Sequence, residues 1–328
     1  MKLILTNAGS YPRIGDAPEL QRHRRAYAQW ERKEIGEAAF RKVEDEVTAE
    51  VIREQIEAGV ELPTDGQIRW YDPYSHFARG LEGVEVNGLL RLFDTNFYFR
   101  QPVVTGPIRR RRSILVSEYE FARTVSSRPV KPVLTGPYSL ARGSILEGGY
   151  QSFTALVFAY AEVASEEVTD LAAAGASVIQ VDEPAILGHP EDAALLHEAL
   201  ALLSRAKGSA SLVLHVSFGD AAPLYADLQG LPVDVLSLDF TYSSKLPRLI
   251  AEVGAFKPLG LGVIDGRNTR LETPETVFPV LDEVLPKLPT EWGYLGPSCG
   301  LEFLPRERAR AKLETMRRLR DAYLGGHA

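Results

Sequence analysis

Polar side chains stand at the ends of eight short apolar runs, and their types suit ligand binding, proton transfer and metal binding. One run continues into Asp182, another contains His215 near its end, and a third ends in Asp239. If the runs are parallel strands, their carboxyl ends meet at one rim. This arrangement predicts a polar, ligand-binding mouth. The other runs lead into the segments 9–13, 65–67, 135–137, 265–268 and 298–300.

His215, Asp239 and Cys299 form a candidate metal set at the ends of three different runs. Imidazole, carboxylate and thiolate all bind zinc, and three protein ligands with one open position are typical of a catalytic zinc site. The three residues are far apart in sequence, so simpler interpretations stay open. A single cysteine often packs as a small hydrophobic residue, and a histidine near a strand end often only forms hydrogen bonds.

The elements that would position these residues alternate between β-branched apolar runs and longer runs rich in Ala, Leu and Glu. Nearly continuous apolar runs indicate strands buried on both faces. Eight strand-then-helix units predict a (β/α)8 barrel of the α/β class, as a single domain over residues 1–328, in preference to a doubly wound open sheet. The predicted strands are 3–6, 61–65, 132–135, 177–182, 212–216, 235–239, 259–264 and 293–295. The predicted helices include 27–58 and 153–174.

Residues 84–106 interrupt this alternation. The segment contains strand-like pieces and an Asn-Gly turn signal, which predicts a hairpin-like insertion between the second and third barrel strands. Four arginines follow at 109–112. They suit a solvated turn or, alternatively, a patch that binds a phosphate or a polycarboxylate.

Composition excludes several classes of protein. With 37 Lys and Arg against 44 Asp and Glu, the formal net charge is −7, which argues against general nucleic-acid binding. A hydrophobic fraction of 45% is that of an ordinary globular protein. The single cysteine excludes an intrachain disulfide. No apolar run has the length of a signal peptide or a membrane helix, so we expect a cytoplasmic protein.

Four motifs together resemble the catalytic barrel of the cobalamin-independent methionine synthase family. The motif GSYPR at 9–13 is similar to the Gly-Ser-Phe-Pro segment of that family. The three other motifs, in the family's order, are LTGP at 134–137, QVDEPA at 180–185 and SCGL at 298–301. The resemblance covers nearly the whole chain and supports the barrel.

The resemblance implies a methyltransferase that moves a methyl group to the thiol of homocysteine, making methionine. It implies that Gly9, Ser10 and Asp182 bind the amino-acid part of homocysteine, with Gln67 at a further substrate position. It also implies that zinc, held here by His215, Asp239 and Cys299, binds the thiol as a thiolate. A free thiol is mostly protonated at neutral pH, and binding to zinc converts it to the nucleophilic form.

Four positions depart from the family's pattern. Ser217 stands where the family has a cysteine ligand, and Asp239 stands where it has a glutamate ligand. Gln67 replaces a substrate-binding glutamate, and Arg267 lies where the family has its catalytic histidine. We therefore take Asp182 and Arg267 as the candidate catalytic residues. The departures suggest a changed substrate, a changed metal affinity or a lost activity.

Three functions stay open from the sequence. The first is methyl transfer to homocysteine or a similar thiol. The second is thiol alkyl transfer or C–S bond chemistry on another substrate. The third is a barrel that binds an amino acid or thiol without turnover. The methyl donor is methyltetrahydrofolate or a methylcorrinoid, and a corrinoid protein is a candidate partner.

Overall fold

The computed structural model describes residues 1–93 and 95–326, and a parallel seven-stranded sheet forms its centre. The strands follow the order β1-β10-β9-β8-β7-β6-β4, and each neighbouring pair runs parallel. They are β1 (Lys2–Leu5), β4 (Val133–Thr135), β6 (Val178–Asp182), β7 (Ser211–Val216), β8 (Val235–Asp239), β9 (Leu259–Ile264) and β10 (Trp292–Pro297). With the surrounding helices they confirm the α/β barrel, and seven of the eight predicted strands are present.

The eighth predicted strand, 61–65, occupies its expected place without forming a regular ladder. Thr6 and Leu62 form an isolated parallel bridge, and the carbonyl of Pro63 accepts a hydrogen bond from the N–H of Lys131 at 2.9 Å. The segment therefore lies between β1 and β4 and closes the barrel. Pro63 has no N–H to donate, and Gly66 has a positive φ of 72°, so a continuous ladder cannot form here.

The helices cover the outside of the barrel. They are α1 (Arg22–Glu31), α2 (Glu37–Glu57), α3 (Pro73–Ala78), α4 (Val116–Val125), α5 (Pro137–Gly143), α6 (Phe153–Ala173), α7 (Ala193–Ala206), α8 (Tyr225–Gly230), α9 (Leu246–Val253), α10 (Pro274–Val284) and α11 (Arg306–Gly326). No helix within residues 1–93 and 95–326 is long and apolar enough to cross a membrane. Cytoplasmic location stays a prediction.

The predicted helix 27–58 is in fact two helices, α1 and α2. Lys33 adopts a positive φ of 59° and ends the first helix, and Gly36 caps the second. Trp30 stacks on Phe40 with ring centroids 5.3 Å apart, which fixes the turn between the helices. The break between Lys33 and Gly36 thus divides the predicted helix, and Gly36 was its local signal.

A second, three-stranded sheet stands beside the barrel mouth. Strand β2 (Leu81–Arg91) pairs antiparallel with β3 (Tyr98–Arg110), and β3 pairs parallel with β5 (Ile145–Leu146). The segment 84–106 lies in this β2–β3 pair. Arg110, at the end of β3, forms ion pairs with Glu166, Glu167 and Asp170 of α6. Its guanidinium therefore anchors the sheet to a helix instead of binding an external anion.

Candidate functional site

A narrow cleft of about 60 Å³ opens at the carboxyl ends of the strands. The predicted substrate residues Gly9, Ser10, Gln67 and Asp182 all line this cleft, together with His215. Other lining residues include Tyr74, Phe93, Thr135, Ser217, Phe218, Glu302 and Phe303. The structure thus places side chains from five strand ends around one space.

Asp182 is held in place by a buried polar chain inside the barrel. Gln180, two residues earlier on β6, donates from Nε2 to Oδ1 of Asp182 at 2.7 Å. Gln180 also accepts a hydrogen bond from Nζ of Lys131, which is 3% exposed. Burial raises the pKa of Asp182 to about 7 and lowers the pKa of Lys131 to about 7. A bound cation next to Asp182 would restore the ionised form of the carboxyl.

Close backbone approach shapes the side of the cleft formed by the first strand. Ser10 and Gly66 form a parallel bridge, and Ser10 accepts a hydrogen bond from the N–H of Leu301 at 3.0 Å. Gly300 leaves room for the Ser10 hydroxyl, because a Cβ at position 300 would collide with Oγ. The two motif segments 9–13 and 298–301 and the segment at Gly66 are therefore packed against one another by their backbones.

Glu183 has a structural role beside Asp182. It is fully buried, and its carboxylate accepts hydrogen bonds from the N–H groups of Tyr138 at 2.9 Å and Ser139 at 2.7 Å. These N–H groups belong to the first turn of α5, where no intrahelical acceptor exists. Gly136 is required next to them, since a Cβ there would collide with the Glu183 carboxyl. Glu183 of the motif at 180–185 thus holds the turn that follows the motif at 134–137.

The candidate metal residues do not form a ligand set in this arrangement. Within the described part of the chain, no three His, Cys, Asp or Glu side chains are placed to hold a metal ion. Nδ1 of His215 lies 3.1 Å from Oγ of Ser237, and Nε2 is buried without a partner. Cys299 is 1% exposed, and burial raises the pKa of its thiol above the usual range. Asp239 is fully buried and paired with Arg267 at 3.0 Å.

These contacts do not fit a zinc ion. Zinc binds donors with a free lone pair, whereas one oxygen of the Asp239 carboxylate already pairs with a guanidinium and the other accepts from Thr241. The contacts of Asp239 therefore do not support the expectation of zinc held by His215, Asp239 and Cys299.

Arg267 lies in a second cleft that adjoins the first. This cleft is lined by Thr95, Asn96, Phe97, Thr241, Tyr242, Asp265, Arg267 and Phe303. Phe303 lines both clefts and separates them. The two candidate catalytic residues, Asp182 and Arg267, therefore stand in neighbouring spaces of one mouth.

The aromatic cover of the mouth was not predicted from the sequence. Phe93, between β2 and β3, stacks on Phe218, after β7, with ring centroids 5.1 Å apart. Both residues have positive φ angles, 47° and 66°, which are uncommon for bulky residues and are often found at functional sites. The sequence indicated only that Phe218 would lie near the mouth, because it directly follows the His215-Val216-Ser217 motif.

Glu302 is a further residue that sequence reasoning missed. It lines the first cleft, and its carboxylate lies 3.8 Å from the Arg13 guanidinium. Burial raises the pKa of Glu302, while Arg13 and a hydrogen bond with Ser10 oppose that shift. Its position three residues after Cys299 was the only indication that it would reach the mouth.

Comparisons with known proteins agree with this architecture. Residues 3–321 match the profile of the family described as the catalytic domain of cobalamin-independent synthase. A protein named methionine synthase from Saccharolobus solfataricus is 34% identical over 317 residues, which is 96% of this chain and 92% of that protein. Another, from Sulfurisphaera tokodaii, is 35% identical over the same share of this chain and 90% of that protein.

A solved structure shares the fold. The B12-independent methionine synthase from Shewanella sp. W3-18-1, in complex with selenomethionine, superposes with a TM-score of 0.80 at 22% identity. The match covers 99% of this chain and 100% of that one. The chain therefore belongs to the cobalamin-independent methionine synthase family and corresponds to its catalytic domain.

Proposed function

We propose that this protein transfers a methyl group to the thiol of homocysteine or of a similar amino-acid thiol. The observation that supports this most directly is the meeting of Asp182, Ser10 and Gln67 in one cleft at the barrel mouth. A carboxylate, a hydroxyl and an amide at this spacing suit the ammonium and carboxylate of an amino acid. The proposal treats residues 1–328 as one barrel domain.

Each cleft residue has a distinct role in the proposal. Asp182 binds the substrate ammonium, and the hydrogen bond from Gln180 fixes the orientation of its carboxylate. Ser10 and the backbone at Gly9 bind the substrate carboxylate. Gln67, a neutral amide, contributes a hydrogen bond without adding charge. These contacts hold the substrate so that its side chain extends across the mouth toward Arg267.

The reaction forms one bond and breaks another. The thiol loses its proton to bulk water, the sulfur electron pair forms the new S–C bond, and the donor atom keeps the electron pair of the broken bond to the methyl group. The positive charge of Arg267 favours the thiolate, which is the nucleophilic form. The aromatic cover formed by Phe93 and Phe218 limits water near the sulfur.

The donor is proposed to bind in the second cleft, which opens beside Arg267. Methyltetrahydrofolate and a methylcorrinoid, free or carried by a partner protein, are the two donors to be compared. The neutral Gln67 also favours a second candidate function, thiol alkyl transfer or C–S chemistry on an acceptor whose charge differs from that of homocysteine.

The test measures methionine by mass spectrometry after incubation with homocysteine and each donor. We expect product with one donor, and a rise of about 10- to 100-fold in the KM for homocysteine in Asp182→Asn, because a charge-assisted hydrogen bond is lost. Glu191→Gln, an exposed change on the same side of the barrel, is the control. Absence of product with both donors and a panel of thiols would refute the proposed activity.

A further inference from the structure

The guanidinium of Arg267 lies against Asp239, one of the three candidate metal residues. NH1 is 3.0 Å from Oδ2 of Asp239, and Nε is 3.4 Å from Oδ1 of Asp265. NH2 donates to Oγ1 of Thr241 at 2.5 Å. The Arg267 side chain is only 15% exposed. Arg267 is therefore a fixed part of the centre and not a mobile surface residue.

The other carboxylate oxygen of Asp239 is also engaged. Oδ1 accepts hydrogen bonds from the N–H and hydroxyl of Thr241, at 2.8 and 2.6 Å, and from the N–H of Tyr242 at 3.2 Å. Both oxygens thus have protein donors. For Asp239 to bind a metal ion, the ion would have to displace Arg267 or stand next to a like charge.

Aromatic rings hold the guanidinium in this position. Its central carbon lies 3.7 Å from the ring centroid of Tyr242 and 5.9 Å from that of Phe218. Cations are attracted to the faces of aromatic rings within about 6 Å. The ion pair with Asp239 and the two rings therefore favour the same placement of Arg267.

Apart from the unpartnered Nε2 of His215, the rest of the centre offers few donors for zinc. Ser217 supplies a hydroxyl two residues after His215, where a thiolate would complete a ligand pair. The Cys299 thiol is buried and donates to the carbonyl of Gly300 at 3.5 Å. One sulfur, one engaged carboxylate and a guanidinium thus surround the place where a metal ion would bind.

We propose that Arg267 is the resident cation of this barrel mouth and that the centre takes no metal ion. A guanidinium has five N–H groups, of which the hydrogen bonds to Asp239 and Thr241 use two, whereas Asp265 forms only an ion pair with Nε. The remaining N–H groups are available to an anionic substrate group, such as a thiolate. That assignment of the thiolate rests on the proposed function, whereas the metal-free centre does not.

The experiment measures zinc by plasma mass spectrometry in protein purified from zinc-supplemented medium without chelator. We expect far less than one zinc per chain in the wild type. In the double variant Ser217→Cys and Arg267→Met, which adds a thiolate and removes the cation, we expect about one zinc per chain. Each single variant should stay near the wild-type value, and Cys299→Ala should abolish binding in the double variant.

A spectroscopic measurement supports the metal count. Co²⁺ added to the double variant should give the intense thiolate-to-metal absorption of a site with cysteine ligands, and the wild type should not. Circular dichroism and thermal melting confirm that each variant is folded. If the double variant does not fold, the metal content of the wild type and of Arg267→Met still decides the question.

Two results would overturn the proposal. One is about one zinc per wild-type chain that is lost in Cys299→Ala. The other is a folded double variant with no more zinc than the wild type, since Arg267 and Ser217 would then not be what prevents binding. Because these readouts need no turnover, a failed methyl-transfer assay would refute the proposed function and leave this inference standing.

Discussion

The contact between Gly136 and Glu183 predicts that the losses of unfolding free energy caused by substitutions at these two positions do not add. Gly136 has φ −71° and ψ 153°, a conformation that alanine adopts without strain. The only obstacle to Gly136→Ala is the collision of the new methyl with the Glu183 carboxyl. We expect this overpacking to cost about 2 kcal/mol of unfolding free energy.

Removal of the carboxyl has a larger cost. Glu183→Ala leaves the buried N–H groups of Tyr138 and Ser139 without acceptors, which we expect to cost about 4 kcal/mol. In the double variant the collision no longer exists, so the total should stay near about 4 kcal/mol, about 2 kcal/mol below the additive value. For 328 residues the unfolding entropy is about 0.7 kcal/mol per kelvin, so about 4 kcal/mol lowers Tm by about 6 °C.

Denaturant unfolding followed by circular dichroism measures all four members of the cycle. Gly36→Ala is a matched control, because Gly36 precedes α2 with φ −79° and ψ 166° and has open space around its Cα. We expect this control to change stability by less than about 1 kcal/mol, because alanine is a poorer N-cap than glycine. Additive costs for the two changes at positions 136 and 183 would refute the contact.

Three further predictions concern separate parts of the molecule. Burial raises the pKa of Glu44 from 4.5 to about 7, so the wild type loses stability as pH rises from about 4.5 to 7. Glu44→Gln should therefore be more stable than wild type at pH 8 but not at pH 4. The control Glu46→Gln, at an exposed position, should have the stability of the wild type at both pH values. Denaturant melts at pH 4 and pH 8 measure these differences. Gly300→Ala displaces the Ser10 hydroxyl. The loss of substrate-binding free energy calculated from the KM of the amino-acid substrate should exceed the loss of unfolding free energy calculated from Tm. Equal losses would contradict a binding role. Cys299, the single cysteine, is 1% exposed, so a thiol reagent should label it only after denaturant is added, and fast labelling of native protein would disagree with the structure.

Much of the fold follows from the sequence because the barrel strands are buried on both faces. A run without polar side chains, such as Leu259–Ile264, has few other interpretations. The segment 61–65 shows the limit of this reasoning, since Pro63 preserves the position of a strand but removes a hydrogen bond of the ladder. The division of helix 27–58 had a local signal in Gly36, and the packing of Trp30 on Phe40 stabilises the turn.

The candidate site was predictable in its members but not in its contacts. The positions of Gly9, Ser10, Gln67 and Asp182 at strand ends predicted that they would meet, and all four line one cleft. The sequence placed Arg267 near the mouth but contained no information on the reach of its side chain. Only the coordinates show that its guanidinium pairs with Asp239.

The stack of Phe93 on Phe218 joins a loop of the barrel to a turn that lies outside the barrel. Phe218 belongs to the loop after a barrel strand, whereas Phe93 belongs to the turn between β2 and β3, outside the repeating strand–helix units. Changes in the barrel strands disturb the whole fold, whereas a change of Phe93 acts on the cover of the mouth. The size of the side chain at position 93 can therefore set access to the mouth while the barrel strands stay the same.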